Sequence, residues 1–121
     1  ERRTLIPESL FAALKKNGYR LVLLSNTNQL HFDFIRENYP ALSYFDHYVV
    51  SHEVGAMKPS PAIYAEAIRH ALCQPHECFY TDDIEKYAEG AKRAGIDAVQ
   101  FKNYEQLREE LLVRGVNIES A

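Results

Sequence analysis

The chain has 121 residues, 46% of them apolar and 26% charged, a balance expected of a soluble globular protein, one domain or part of one, with a real core. Its net charge of -3, with Lys and Arg dispersed, leaves no basic footprint for nucleic acid. No apolar run approaches the ~20 residues of a membrane span, and Glu1-Arg2-Arg3-Thr4 is not a signal peptide, so a cytoplasmic location is expected. Cys73 and Cys78 stand five positions apart with no second pair. They read as two reduced, mostly packed thiols rather than a zinc site.

In chain order, helix-like and strand-like segments alternate. Glu8 to Asn17 puts Leu10, Phe11 and Leu14 on one helical face, with Pro7 at the entry and Gly18 past the end. Tyr19 to Leu24 is nearly all apolar, which suits a strand covered on both faces. Ser25-Asn26-Thr27-Asn28 form a polar turn before a helix over Gln29 to Asn38, which Pro40 ends. Tyr48-Val49-Val50 is a second short strand. Ser51 to Pro61, punctuated by Gly55, Pro59 and Pro61, reads as a long loop, and such loops in compact α/β domains tend to be functional. A helix follows over about Ala62 to Leu72, then a strand over Glu77 to Thr81. A helix over Ile84 to Ala94, stopped by Gly95, leads to a strand over Ala98 to Phe101 and a last helix over Tyr104 to Val113. Strands alternating with helices imply a doubly wound α/β domain with a mostly parallel sheet.

Ligands of such sheets bind outside the C-terminal strand ends. Three groups fall there: Ser25-Asn26-Thr27, the loop from Ser51 to Lys58, and the pair Asp82-Asp83. Adjacent carboxylates repel unless a cation, a proton or a basic side chain neutralises them, and a hard divalent ion such as Mg²⁺ is a common solution. A lysine and a hydroxyl nearby complete most of a phosphoryl-transfer site, except for a nucleophile. Each group also has a plainer reading. The aspartates, Ser25 and Thr27 could cap helices, and Lys58 could be a solvated loop residue. His31, His47, His70 and His76 show no ligand spacing, and His52 alone lies in the suspect loop.

Leu23-Leu24-Ser25-Asn26-Thr27, then Ser51 through Tyr64 with Met57-Lys58-Pro59 at its centre, then Phe79-Tyr80-Thr81-Asp82-Asp83 with Ala88-Glu89-Gly90-Ala91, resemble the haloacid-dehalogenase-like (HAD) hydrolase superfamily. The resemblance, to its phosphatase branch, runs from about Pro7 to Val113. It implies a Mg²⁺-dependent phosphomonoester hydrolase acting on a small phosphorylated metabolite through an aspartyl phosphate. Ser25 and Asn26 would bind the phosphoryl group, Lys58 would orient the nucleophile and offset phosphate charge, and Asp83 with Asp82 would hold Mg²⁺ directly or through water. The Lys58–Pro59 bond is a candidate for cis geometry. A dehalogenase and a non-catalytic binding module are the alternatives on the same scaffold.

The family's first motif, an Asp-x-Asp after the first strand, has no match here; Asp33 and Asp46 lack its context. Nor does the cap region. Residues 1–121 are therefore expected to be the C-terminal portion of a HAD-like core, catalytically dead alone. The absent central strand should leave two unpaired edges, an aggregation hazard. A missing N-terminal fragment or a neighbouring chain would then complete the sheet.

Overall fold

The structure, a computed structural model, describes residues 6–119. Helix α1 (Glu8–Lys16) buries Leu10, Ala13 and Leu14 and leads to strand β1 (Val22–Ser25). Helix α2 (Gln29–Asn38) is followed by a 3₁₀ turn (Pro40–Tyr44) and strand β2 (His47–Val50). A one-turn helix α3 (Ser51–Val54) and helix α4 (Pro61–Ala71) precede a 3₁₀ turn (Pro75–Glu77) and strand β3 (Phe79–Asp82). Helix α5 (Glu85–Arg93), strand β4 (Asp97–Gln100) and helix α6 (Tyr104–Val113) complete the order.

The α/β alternation is the expected one, and the differences lie at boundaries with local causes. β1 begins three residues later than its apolar run because the backbone donors ahead of it are spent elsewhere. Tyr19 N–H closes the end of α1 on Leu14 O at 3.0 Å, and Leu21 N–H donates to the Asp46 carboxylate at 2.8 Å. Lys15 holds that carboxylate at 2.6 Å, which gives Asp46 a structural duty. β3 likewise starts after a 3₁₀ turn that Pro75 initiates, with Cys78 N–H on Pro75 O. The stretch read as a loop from Ser51 contains α3, which Gly55 ends in the left-handed region at φ 83°, a conformation glycine adopts without a steric penalty.

The four strands form two parallel pairs. β1 pairs with β2, placing Ser25 opposite Val50, and β3 pairs with β4, placing Asp82 opposite Gln100. Among the described residues no ladder joins the pairs. Alternate residues of a strand face opposite sides, so Phe79 packs with Leu10, Leu14, Leu107 and Leu111 from α1 and α6, while Tyr80 packs with Ile63, Tyr64 and Ala91 from α4 and α5. Helices therefore cover both faces, as in a doubly wound domain. Between the β1 and β3 edges lies a cavity of about 430 Å³, lined by Leu21, Val22, Leu24, Phe79, Tyr80 and Ile68 among others. Among the described residues no helix is long and apolar enough to cross a membrane.

Candidate active site

The C-terminal ends of β1 and β3 bring together most of the residues singled out in the sequence. Lys58 is the centre. Its ammonium lies 2.7 Å from Asp82 Oδ2 and 3.4 Å from Leu24 O, and the two charged side chains are only 10% and 9% exposed. So little exposure separates this pair from a surface ion pair of negligible value. The Lys58–Pro59 peptide is cis. The backbone on either side of the lysine is clasped by Asn26: its Oδ1 accepts the Lys58 N–H at 2.7 Å, and its Nδ2 donates to Lys58 O at 3.2 Å and to the Tyr87 hydroxyl at 3.4 Å. Asn26 thus spends its amide on the lysine loop. Ser25, half-buried, stands immediately before it at the strand end.

The plainer readings are partly right. Asn28, not Ser25 or Thr27, caps α2, its Oδ1 accepting His31 N–H at 2.8 Å. Thr27 is instead fixed by Ser51, whose Oγ accepts Thr27 N–H at 2.8 Å and donates to Thr27 O at 2.9 Å. His52 Nδ1 lies 3.3 Å from the same carbonyl, and its ring sits beside Phe32. Asp82 does serve the turn into α5, since its Oδ1 accepts Ile84 N–H at 3.0 Å, but neither aspartate is the residue that caps α5.

The two carboxylates differ sharply. Asp82 Oδ2 receives both Lys58 and the Tyr80 hydroxyl. Burial acts to raise its pKa, but the hydrogen bonds from Lys58 and Tyr80, the lysine's charge and the Ile84 N–H outweigh it and hold the carboxyl below the usual range. Burial, followed by the hydrogen bond to Asp82 and that residue's charge, pushes Tyr80 well above an ordinary phenol, so Tyr80 stays a donor. Asp83, by contrast, is exposed, and its backbone carbonyl is held by Gln100 Nε2 at 3.1 Å. Asp83 and Thr81 line a cavity of about 200 Å³ with Asp82, and the buried Thr81 Oγ1 has no partner among the described residues.

Because the Asp82 proton is bound more weakly in the fold than in the unfolded chain, acid is taken up preferentially by the unfolded state. The stability this carboxylate contributes is therefore complete above about pH 4 and is lost as pH falls through its lowered folded pKa. Urea unfolding of the chain at pH 3 and pH 7 should show this loss, and Asp82→Asn should flatten that part of the pH dependence. An unchanged slope in Asp82→Asn would remove Asp82 from the account.

Oxygen donors of this kind suit a hard cation. Among the described residues, though, no three His, Cys, Asp or Glu side chains come together as a metal cluster. Asp83 is the carboxylate with room to ligate, Asp82 being occupied by Lys58 and Tyr80. The donor set fits Mg²⁺ in kind but needs water or donors from outside the described residues.

Three aromatic residues, two of them inside the motifs but without a role assigned there, support the lysine. Tyr87 lies under Lys58, with Nζ 4.8 Å from its ring centroid. Tyr64, fully buried, donates to Tyr87 O at 2.7 Å and meets Tyr80 edge-on. Burial, then the charge of Asp82, pushes the Tyr64 phenol up to about 12. Gly90 of α5 makes this packing feasible: a Cβ there would lie 2.8 Å from Tyr64 Oη and 2.9 Å from Pro59 Cβ. Gly90→Ala should overpack this junction by about 2–3 kcal/mol. The gain in helix propensity returns about 1 kcal/mol. A net loss of about 1–2 kcal/mol is expected in the urea midpoint, and a stabilised variant would show that α5 is free to shift.

Residues 2–95 match the haloacid dehalogenase-like hydrolase family, and the chain belongs to it. Two of its curated relatives are named phosphatases. One is the D-ribitol-5-phosphate phosphatase of Bacteroides thetaiotaomicron, 30% identical over 104 residues that cover 81% of this chain and 50% of the relative. Another is the glyceraldehyde 3-phosphate phosphatase of Methanopyrus kandleri, 38% identical over 60 residues, 49% of this chain and 26% of the relative. The chain thus spans half or less of these two proteins. Among solved structures, a HAD-family enzyme of B. thetaiotaomicron in a magnesium complex superposes with a TM-score of 0.72 at 31% identity, covering 88% of this chain and 58% of that one. An uncharacterised protein of Corynebacterium glutamicum gives 0.78 at 29% identity, covering 91% and 81%.

Proposed function

We propose that the whole protein is a Mg²⁺-dependent phosphomonoester hydrolase working through an aspartyl phosphate, and that this chain is the C-terminal portion of its core. The observation that carries the reading is the buried Lys58–Asp82 pair, set on one strand edge with Ser25 and the exposed Asp83. The Lys58 side chain is directed at the nucleophile and a phosphoryl oxygen. The Ser25 hydroxyl donates to another oxygen, and Asn26 acts by positioning the lysine loop. Asp83 would hold the cation directly and Asp82 through water; when bound, Mg²⁺ polarises the phosphoryl oxygen and screens the ester's charge. The nucleophilic aspartate comes from a segment upstream whose strand fills the space between β1 and β3. The names of the relatives support a small phosphorylated metabolite as substrate.

Turnover of para-nitrophenyl phosphate tests this. The 121-residue chain should give none above a no-enzyme control. The whole protein should require Mg²⁺, and Asp83→Asn should lower its rate by ~10²-fold or more, as expected when one electrostatic stabiliser is removed, with no change in urea midpoint. Turnover by the chain alone, or a metal-independent whole protein that releases halide instead, would contradict the proposal.

A further inference from the structure

Cys73 and Cys78 lie at the other end of the sheet from the candidate site. Cys73 follows α4 and is exposed; Cys78 precedes β3 and is half-buried. Their sulfurs are 3.5 Å apart. The short segment between them is held by its own hydrogen bonds: Glu77 N–H to Gln74 O at 2.9 Å, Cys78 N–H to Pro75 O at 3.0 Å, and Gln74 N–H to the Glu77 carboxylate at 2.9 Å. The β3–β4 pair anchors one side, since Cys78 O accepts Asp97 N–H at 3.1 Å. Two thiols in contact, one open to solvent and one behind it, on a turn fixed by the fold, make a built pair rather than two incidental cysteines.

We propose that Cys73 and Cys78 are a redox-active dithiol that a hydroperoxide closes to an intrachain disulfide. The exposed Cys73 sulfur attacks the peroxide, the O–O bond breaks, and Cys73 becomes a sulfenic acid while the peroxide leaves as water or an alcohol. Cys78 then displaces the hydroxyl: the S–S bond forms, the S–O bond breaks, and the Cys78 proton leaves with the hydroxide as water. Two thiols have lost two electrons and two protons, and the peroxide has taken them up. Burial, followed by the hydrogen bond with Cys73, pushes the Cys78 thiol up to about 12. That suits the order of events, because Cys78 is a poor first target and the Cys73 hydrogen bond that helps keep it protonated is lost once Cys73 is oxidised. A small thiol returns the pair to the reduced state by exchange.

The test uses the full chain, reduced, freed of reductant, exposed to hydrogen peroxide and quenched with N-ethylmaleimide in denaturant. Both cysteines should escape alkylation, with the intact mass lower by about 2 Da, the loss of two hydrogens on disulfide formation. Glutamyl endopeptidase cleaves after Glu77, between the two cysteines, so the flanking fragments should stay joined until reduced. Cys78→Ser should proceed instead to a sulfinic acid at Cys73, a gain of about 32 Da, and Cys73→Ser should leave Cys78 open to the maleimide. The linkage should form faster in native buffer than in urea. Retention of both thiols, overoxidation of Cys73 beside an intact Cys78, a linkage between two chains, or equal rates in urea and native buffer would each overturn the proposal.

Discussion

Lys58→Ala is expected to lower phosphomonoester turnover by the whole protein about 10³-fold and to destabilise the fold by about 3–5 kcal/mol, two losses with different origins. The first comes from removing a fixed positive charge from the strand edge where a dianionic ester would sit. The second comes from Asp82, whose 9%-exposed carboxylate would be left with the Tyr80 hydroxyl and the Ile84 N–H but no counter-charge. Breaking one side of a buried pair costs more than the pair contributes, because the survivor remains desolvated. The double variant Lys58→Met with Asp82→Asn should therefore recover most of the stability while remaining inactive. Urea midpoints and para-nitrophenyl phosphate rates on the two variants and the unsubstituted protein separate the effects. A double variant as unstable as Lys58→Ala would mean that the lysine acts through packing on Tyr87 rather than through charge.

How far such a site is legible in the sequence depends on the kind of interaction that builds it. Ser25, Lys58 and Asp82-Asp83 could be placed on one edge because strand ends in a parallel α/β domain converge by topology, and the apolar runs before Ser25 and Thr81 marked those ends. The division of labour between the aspartates could not be read, since it follows from which carboxylate meets Lys58 and Tyr80 across 24 and 2 residues respectively. Asn26 illustrates the same limit. A polar residue after a strand suggests a cap or a ligand, yet here its amide is consumed by the backbone of a loop 32 residues away. Tyr64 and Gly90 fall inside the motifs that carry the resemblance, but like Tyr87 they showed no link to Lys58, because apolar periodicity marks helix positions and says nothing of a lysine packed above them. Gly90 offers one retrospective clue: a glycine inside a helix costs about 1 kcal/mol relative to alanine and calls for a packing reason. The one-turn helix from Ser51 escaped because its four residues are too few for a period to show.

On the proposed reading, supplying an upstream segment should complete the sheet and the site. Between β1 and β3 two strand edges stand unpaired around a cavity of about 430 Å³ whose walls are Leu21, Val22, Leu24, Phe79 and Tyr80. A parallel strand set there would pair with both edges at once and bury two or three apolar side chains, roughly 5 kcal/mol of gross stabilisation at ~1.5–3 kcal/mol each. Unlike a third strand added outside β2 or β4, it would also end level with Ser25 and Asp82, where a carboxylate would face Lys58. Co-producing residues 1–121 with the upstream portion of the whole protein is expected to give one complex with Mg²⁺-dependent phosphatase activity, from two pieces that are each inactive. The chain alone should self-associate through the open edges, as exposed strand edges do, and the complex should not. Replacing Val22 or Leu24, which line the gap, by Asp should block assembly while leaving the core around Leu10 and Leu107 intact. Light scattering and analytical ultracentrifugation on the separate and combined pieces decide the matter. A 121-residue chain that stays monomeric and ignores the upstream portion would show that these edges have closed on their own, and that the site at their ends has some other partner.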